Sequence, residues 1–198
     1  MTTAREIEQK LASKYLTEQA GWAFLREVTI VDQEVTDARD RYYGTGRYAE
    51  RGLWREDSEA ARAALTQFAG VPDSRRIDVL LMRTSSTKPV PFERIAIEIK
   101  VSRGDFKRDT PEKRKPWMAV AHRFAYATPP GLIAKDEVPE GCGLIEVDPS
   151  APRFEGCAWV KRAPRNFGSP QDLDARFVAY LAGRASRAEH ALRVEAAE

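Results

Sequence analysis

IAIEIKVSRGDF, residues 95–106, is the stretch on which the reading of this chain turns. Ile95, Ala96, Ile97, Ile99 and Val101 make an apolar, strand-forming run, and Glu98 and Lys100 stand inside it. Side chains alternate along a strand, so Ile95, Ile97, Ile99 and Val101 share one face while Ala96, Glu98 and Lys100 share the other. Taking either charge out of water alone costs several kcal/mol. A strand that keeps both has a use for them on that second face. Upstream, RRIDVLL (residues 75–81) repeats the form, with Asp78 flanked by apolar residues. If the two segments pair as a hairpin-like unit, Asp78 approaches Glu98. Two carboxylates and a lysine at one sheet edge suit Mg²⁺, which prefers oxygen ligands and keeps several of its waters. A bound metal acidifies its water and offsets phosphate charge. A lysine beside it orients the water or stabilises charge on phosphoryl oxygens. Hydrolysis of a phosphodiester needs these parts.

Working outward, residues 4–20 read as a helix, with Ile7, Leu11 and Tyr15 at helical spacing and Gly21 to end it. Trp22 to Val31 reads as a strand. Residues 32–56 have no steady apolar period and read as an insertion or long loop with short helical pieces. In that segment Tyr42, Tyr43, Arg47 and Tyr48 either contact nucleic acid or pin the loop to the body. Asp57 or Ser58 caps a helix reaching about Ala69, with Ala61, Ala64, Leu65 and Phe68 on its apolar face. Helix follows from Arg103 to about Ala121, interrupted near Pro111 and Pro116. RFAYAT, CGLIEV and CAWVKR are three more strands, and residues 171–193 form a C-terminal helix packed through Leu173, Phe177, Leu181 and Val178. The order predicts an α/β fold, a mixed β-sheet flanked by helices, in one domain of 198 residues.

The bulk composition narrows the class. A hydrophobic fraction of 42% and a charged fraction of 31% are those of a globular protein with a proper core. No apolar run is long enough for a membrane span, and the polar MTTAREIEQK start does not read as a secretory signal, so a cytoplasmic location is expected. Cys142, Cys157, His122 and His190 fall in no zinc-type spacing, and a cytosolic setting argues against a Cys142–Cys157 disulfide. Residues 94–115 carry eight basic and four acidic side chains, a local surplus beside the charged strand. Such a surplus suits a polyanion or marks a solvated helix face.

RRIDVLL followed by IAIEIK resembles the PD-(D/E)xK nuclease superfamily, the restriction-endonuclease-like fold, with Ile77 where the motif's proline often stands. EIKVSRGDFKRD, EKRKPW and AHRFAYAT extend the likeness to the MmcB-like DNA-repair family, over roughly residues 75–130. The matching positions are Ser102, Asp105, Phe106, Lys113, Trp117, Arg123 and Phe124. The resemblance implies a restriction-endonuclease-like central mixed sheet, a Mg²⁺ or Mn²⁺ cofactor and a DNA substrate cleaved in repair, recombination or mobile-element processing. On it, Asp78, Glu98 and Lys100 are catalytic, and Asp78, Glu98 and the backbone carbonyl of Ile99 hold the metal. A further glutamate from the first helix is implied, and Glu8 is the candidate chosen over Glu6 and Glu18. Ser102, Asp105, Lys107, Arg108, Lys113 and Arg114, with Lys115, are assigned to substrate. Ser102 and Asp105 equally suit the start of a helix. Many enzymes of this fold cut duplexes as dimers, so a homodimer is compatible with the resemblance. The competing expectations are a non-cleaving nucleic-acid-binding module of the same fold and a plain ion-pair face. Trp117 and His122 are expected to be structural.

Overall fold

The computed structural model describes residues 2–16, 21–45, 58–84, 92–152, 155–165, 173 and 175–195. Six strands form one sheet in sequence order: β1 (Trp22–Val31), β2 (Ser74–Arg83), β3 (Arg94–Ile99), β4 (Arg123–Thr128), β5 (Cys142–Val147) and β6 (Cys157–Lys161). The pairs β1–β2, β2–β3 and β5–β6 are antiparallel, and β3–β4 and β4–β5 are parallel. The predicted mixed sheet with flanking helices is what the chain forms. The central strands β3 and β4 are buried nearly throughout, since helices cover both faces.

Helix α1 (Ala4–Tyr15) covers one face. Its Ile7, Leu11 and Tyr15 pack with Val79, Leu81, Ile95, Ile97 and Ile99 in one apolar core. It begins in a capping box in which the Thr3 hydroxyl accepts from the Glu6 N–H and the Glu6 carboxylate accepts from the Thr3 N–H. The second core, on the opposite face, gathers Leu80, Ala96, Phe124, Tyr126 and Leu144 around Trp117. Trp117 belongs to helix α5 (Pro111–Val120), which with the short helix α4 (Arg103–Lys107) makes the crossover between parallel strands β3 and β4. The C-terminal helix α6 (Ala175–Glu195) packs Phe177 and Leu181 on this same core, while Val178 is exposed.

Within the predicted insertion, residues 33–43 are regular: helix α2 (Gln33–Tyr43) is capped by Asp32 and ends at Gly44 in the left-handed conformation. Only Val35 and Ala38 of it are buried, so it has almost no apolar period to read. It packs beside helix α3 (Glu59–Gln67), which Ser58 caps. Arg47 and Tyr48 lie outside the described residues. Pro111 is the first residue of α5, where its missing N–H removes no bond, and it therefore starts that helix rather than interrupting one. Both cysteines are free and buried. Among the described residues no helix is long and apolar enough to cross a membrane.

Candidate active site

Strands β1 and β2 both turn over at one point. In β1, Trp22 and Phe24 pack into the α1-side core, but Val28 and Ile30 pack into the other. In β2, Leu81 and Val79 lie on the α1 side, while Ile77 lies opposite. A strand of strict alternation would keep each set on one face. The ladder runs through Arg26↔Val79 and resumes at Val28↔Ile77, so the turnover falls on Glu27 and Asp78. Glu27 there has φ of 45°, a left-handed backbone rare outside glycine. Meanwhile β2 pairs with β3 only as far as Val79↔Ile97. Beyond that pair the two strands part, and the next residues out are Asp78 and Glu98.

The Asp78 side chain reaches across this parting. Its Oδ2 accepts the backbone N–H of Ile99 at 2.7 Å. The N–H and C=O of one extended residue share an edge of the strand, so the Ile99 carbonyl turns toward the same gap. Lys100 is fixed from the other side, its N–H donating to the Ala127 carbonyl at 2.9 Å. Its side chain therefore emerges beside that of Glu98, with Nζ donating to Glu98 Oε1 at 2.9 Å and standing 3.5 Å from Asp105 Oδ2.

The electrostatics of the cluster follow from burial and from charge count. Burial pushes the Asp78 carboxyl upward, against the Ile99 N–H and the Lys100 ammonium. Burial, then the Asp78 charge, raises Glu98 to about 7, with Lys100 opposing. Burial also works against the Lys100 ammonium, but Glu98 outweighs it and holds that amine above its ordinary value. With all ionised, Asp78, Glu98 and Asp105 bring three negative charges to one Lys100. Each of the first two carboxylates commits one oxygen to the protein and has a second.

Helices α4 and α5 form the facing wall. The Ser102 hydroxyl accepts from the Asp105 N–H at 3.1 Å, so Ser102 is the cap of α4. Deeper in, the Asp109 carboxylate accepts from Tyr126 Oη and from an Arg114 N–H, both at 2.5 Å, and Arg114 also donates to Tyr126 Oη at 3.1 Å. Tyr126 stands beside Glu98 in the β3–β4 register. A cavity of about 270 Å³ opens between these walls, and Arg76, Glu98, Lys100, Asp105, Arg108 and Lys113 line it.

Of the residues singled out in sequence, the fold brings together Asp78, Glu98, Ile99, Lys100 and Asp105, with Arg108 and Lys113 at the cavity wall. Four further candidates are already paired or sit outside the wall. Glu8 is bound to Arg26 at 2.7 Å, on the helix that covers the opposite face, and does not join the cluster. Glu6 serves the capping box, and Glu18 lies outside the described residues. Arg114 lines the cavity but is largely buried, and its charge is matched by Asp109, so it braces α5. Lys115 pairs with Glu34 of α2 at 2.6 Å. Lys107 is exposed on α4 and is not part of the cavity wall. Trp117 is core, and His122 Nδ1 accepts the Arg94 N–H at 3.0 Å, both structural as expected. Sequence reasoning missed Asp109, which carried the single signal of a carboxylate five residues before Arg114. It also missed Arg76, which sits openly in RRIDVLL.

No family model and no curated protein matches the chain. Among solved structures the chain is similar to a protein of unknown function from Silicibacter pomeroyi, SPO1766, at 18% identity and a TM-score of 0.52. The match covers 98% of this chain and 92% of that one. It supports the arrangement of helices around the sheet.

Proposed function

We propose that the protein is a metal-dependent deoxyribonuclease of restriction-endonuclease-like fold. The observation that carries this is the meeting of Asp78, Glu98 and Lys100 where β2 leaves β3, with the Ile99 carbonyl turned to the same gap. The donor set is all oxygen and carries an excess of negative charge, which suits a hard divalent cation such as Mg²⁺ or Mn²⁺. Asp78, Glu98 and the Ile99 carbonyl hold the ion, which when bound acidifies a water and offsets phosphate charge. Lys100, gripped by Glu98 and Asp105, presents a fixed cation where charge develops on a phosphoryl oxygen. Asp78 also sets the position of Ile99 through its N–H. Arg108 and Lys113 hold the polyanion without reading its sequence.

The test is cleavage of plasmid, linear, single-stranded and branched DNA with Mg²⁺, Mn²⁺ or EDTA. Wild type cleaves only with metal, and Lys100→Ala and Asp78→Asn each lose roughly 10²-fold or more. Cleavage that ignores EDTA, or that survives both substitutions, refutes the proposal.

One observation favours a second reading, a non-cleaving nucleic-acid-binding module. Among the described residues no three His, Cys, Asp or Glu side chains gather as a metal-holding group. That reading predicts DNA binding in every condition and cleavage in none.

A further inference from the structure

The end of the sheet away from the cavity holds a second cluster of charge. Glu93, the residue before β3, is buried, and three guanidiniums reach it. Arg123 and Arg165 each donate through Nε to its Oε1, at 3.0 and 3.3 Å. Arg83 stands 3.7 Å from Oε2, too far for a hydrogen bond. Strand alternation explains the meeting. Arg83 alternates with Leu81, Glu93 with Ile95 and Arg123 with Ala125, so all three side chains turn to the α1-side face. The backbone holds these strand ends level: the Arg83 N–H donates to the Glu93 carbonyl at 2.8 Å, and Ile95 is in register with Arg123. Arg165 arrives from the segment after β6, which Arg123 ties down by donating to the Ala163 carbonyl.

The charges of this cluster do not balance. Burial pushes the Glu93 carboxyl up, but Arg123 and Arg165 outweigh it and hold the group below its ordinary value, so it is ionised. One carboxylate then faces three guanidiniums, and two positive charges are left over. Among the described residues no other carboxylate pairs with Arg83, Arg123 or Arg165. The Arg83 guanidinium lies 4.1 Å over the Trp22 ring and makes no hydrogen bond among the described residues. Unmatched charge gathered in a largely buried place is costly unless something compensates it. The Arg83 and Arg165 side chains remain 20% and 27% exposed, so an ion reaches them from water. We infer that Arg83 and Arg165, with Arg123 holding Glu93 between them, form a binding site for a phosphate dianion, free or as a small phosphomonoester. Guanidinium forks match phosphate oxygens in pairs. A dianion cancels both leftover charges, whereas a carboxylate or a phosphodiester cancels one. Glu93 and Glu98 are separated by roughly 16 Å of extended chain and turn to opposite faces, so this site is distinct from the cavity. The inference does not rest on the nuclease reading.

The test is calorimetric titration of the metal-free protein with inorganic phosphate at about pH 8, where phosphate is a dianion, with chloride keeping the ionic strength constant. The wild type is expected to bind one ion per chain, saturably. Arg165→Ala and Arg83→Gln are each expected to weaken binding roughly tenfold or more, the loss of one charged hydrogen-bonding partner. Glu93→Gln removes the competing negative charge and is expected to tighten binding, which a purely structural cluster would not do. Lys100→Ala is expected to bind phosphate as the wild type does, since its amine belongs to the cavity. Absence of saturable binding, affinity unchanged in both arginine variants, or loss of binding in Lys100→Ala overturns the inference. A thymidine oligonucleotide without terminal phosphates separates the sources. It is expected to leave bound phosphate in place, and displacement would overturn the assignment to a small dianion in favour of a nucleic-acid backbone.

Discussion

Glu98 carries a conflict that the fold leaves in place. Its carboxyl is raised from 4.5 to about 7 by burial and by the facing Asp78 charge, so the native state holds this proton more tightly than the unfolded chain does. The stability tied to it is complete below pH about 4.5 and is lost as pH rises through about 7. The size is on the order of 3 kcal/mol. Asp78 is shifted in the same direction, by burial first. Urea unfolding from pH about 5 to about 8 is expected to show stability falling across that range in the wild type and a flatter profile in Glu98→Gln. Lys100 keeps Asp105 at 3.5 Å in that variant, so the amine is not abandoned. An unchanged slope would mean that Glu98 does not hold this proton. These shifts were not legible in the sequence. EIK announces two charges on one strand face, but a pKa depends on how much water the neighbouring elements exclude.

At the scale of elements, the site wall depends on how α5 is tied to β4. Asp109, Arg114 and Tyr126 make that tie, and the Asp109 and Arg114 side chains are only 6% and 9% exposed. Asp109→Asn leaves the Arg114 guanidinium buried without its counter-charge and is expected to lower stability by about 3–5 kcal/mol. Tyr126→Phe removes two hydrogen bonds, the one given to Asp109 and the one accepted from Arg114, and leaves the ion pair, at a cost of about 2 kcal/mol. Denaturant midpoints of the two variants order the effects, and the reverse order would contradict this account. A second element-level test lies in β5, where a Cβ on Gly143 would meet Ala163 N at 2.7 Å and Lys161 O at 2.9 Å. Gly143→Ala is expected to destabilise, since the backbone of residues 161–163 cannot give way cheaply. The helices differed in how readable they were. Helix α1 announced itself through Ile7, Leu11 and Tyr15, whereas α2 buries only Val35 and Ala38 and depends on Asp32, Gly44 and its packing against α3.

For the whole molecule, the proposal makes stability depend on a divalent cation. An ion that binds the native state alone raises unfolding free energy by ~2.7 kcal/mol at a hundredfold excess over its Kd. Mn²⁺ is therefore expected to raise the melting temperature of the wild type and to leave that of Asp78→Asn in place. Equal responses would place the ion elsewhere. The same experiment weighs the two carboxylates as a set, because a divalent cation between them relieves their mutual repulsion.

The sequence by itself determined the elements and the chemistry available. The alternation in IAIEIK required Glu98 and Lys100 to share a face, and the order of strands and helices required a mixed sheet covered on both sides. It did not determine where β2 would leave β3. That is set by the left-handed Glu27, by the turnover of β1 and β2 opposite each other, and by the Asp78 bond to the Ile99 N–H. None of these has a local signal, because each is a relation between strands far apart in the chain. The same holds for Glu8 and Arg114, which the family resemblance nominated for the site. Their partners, Arg26 and Asp109, claimed them once packing had decided which charges would be close enough to pair.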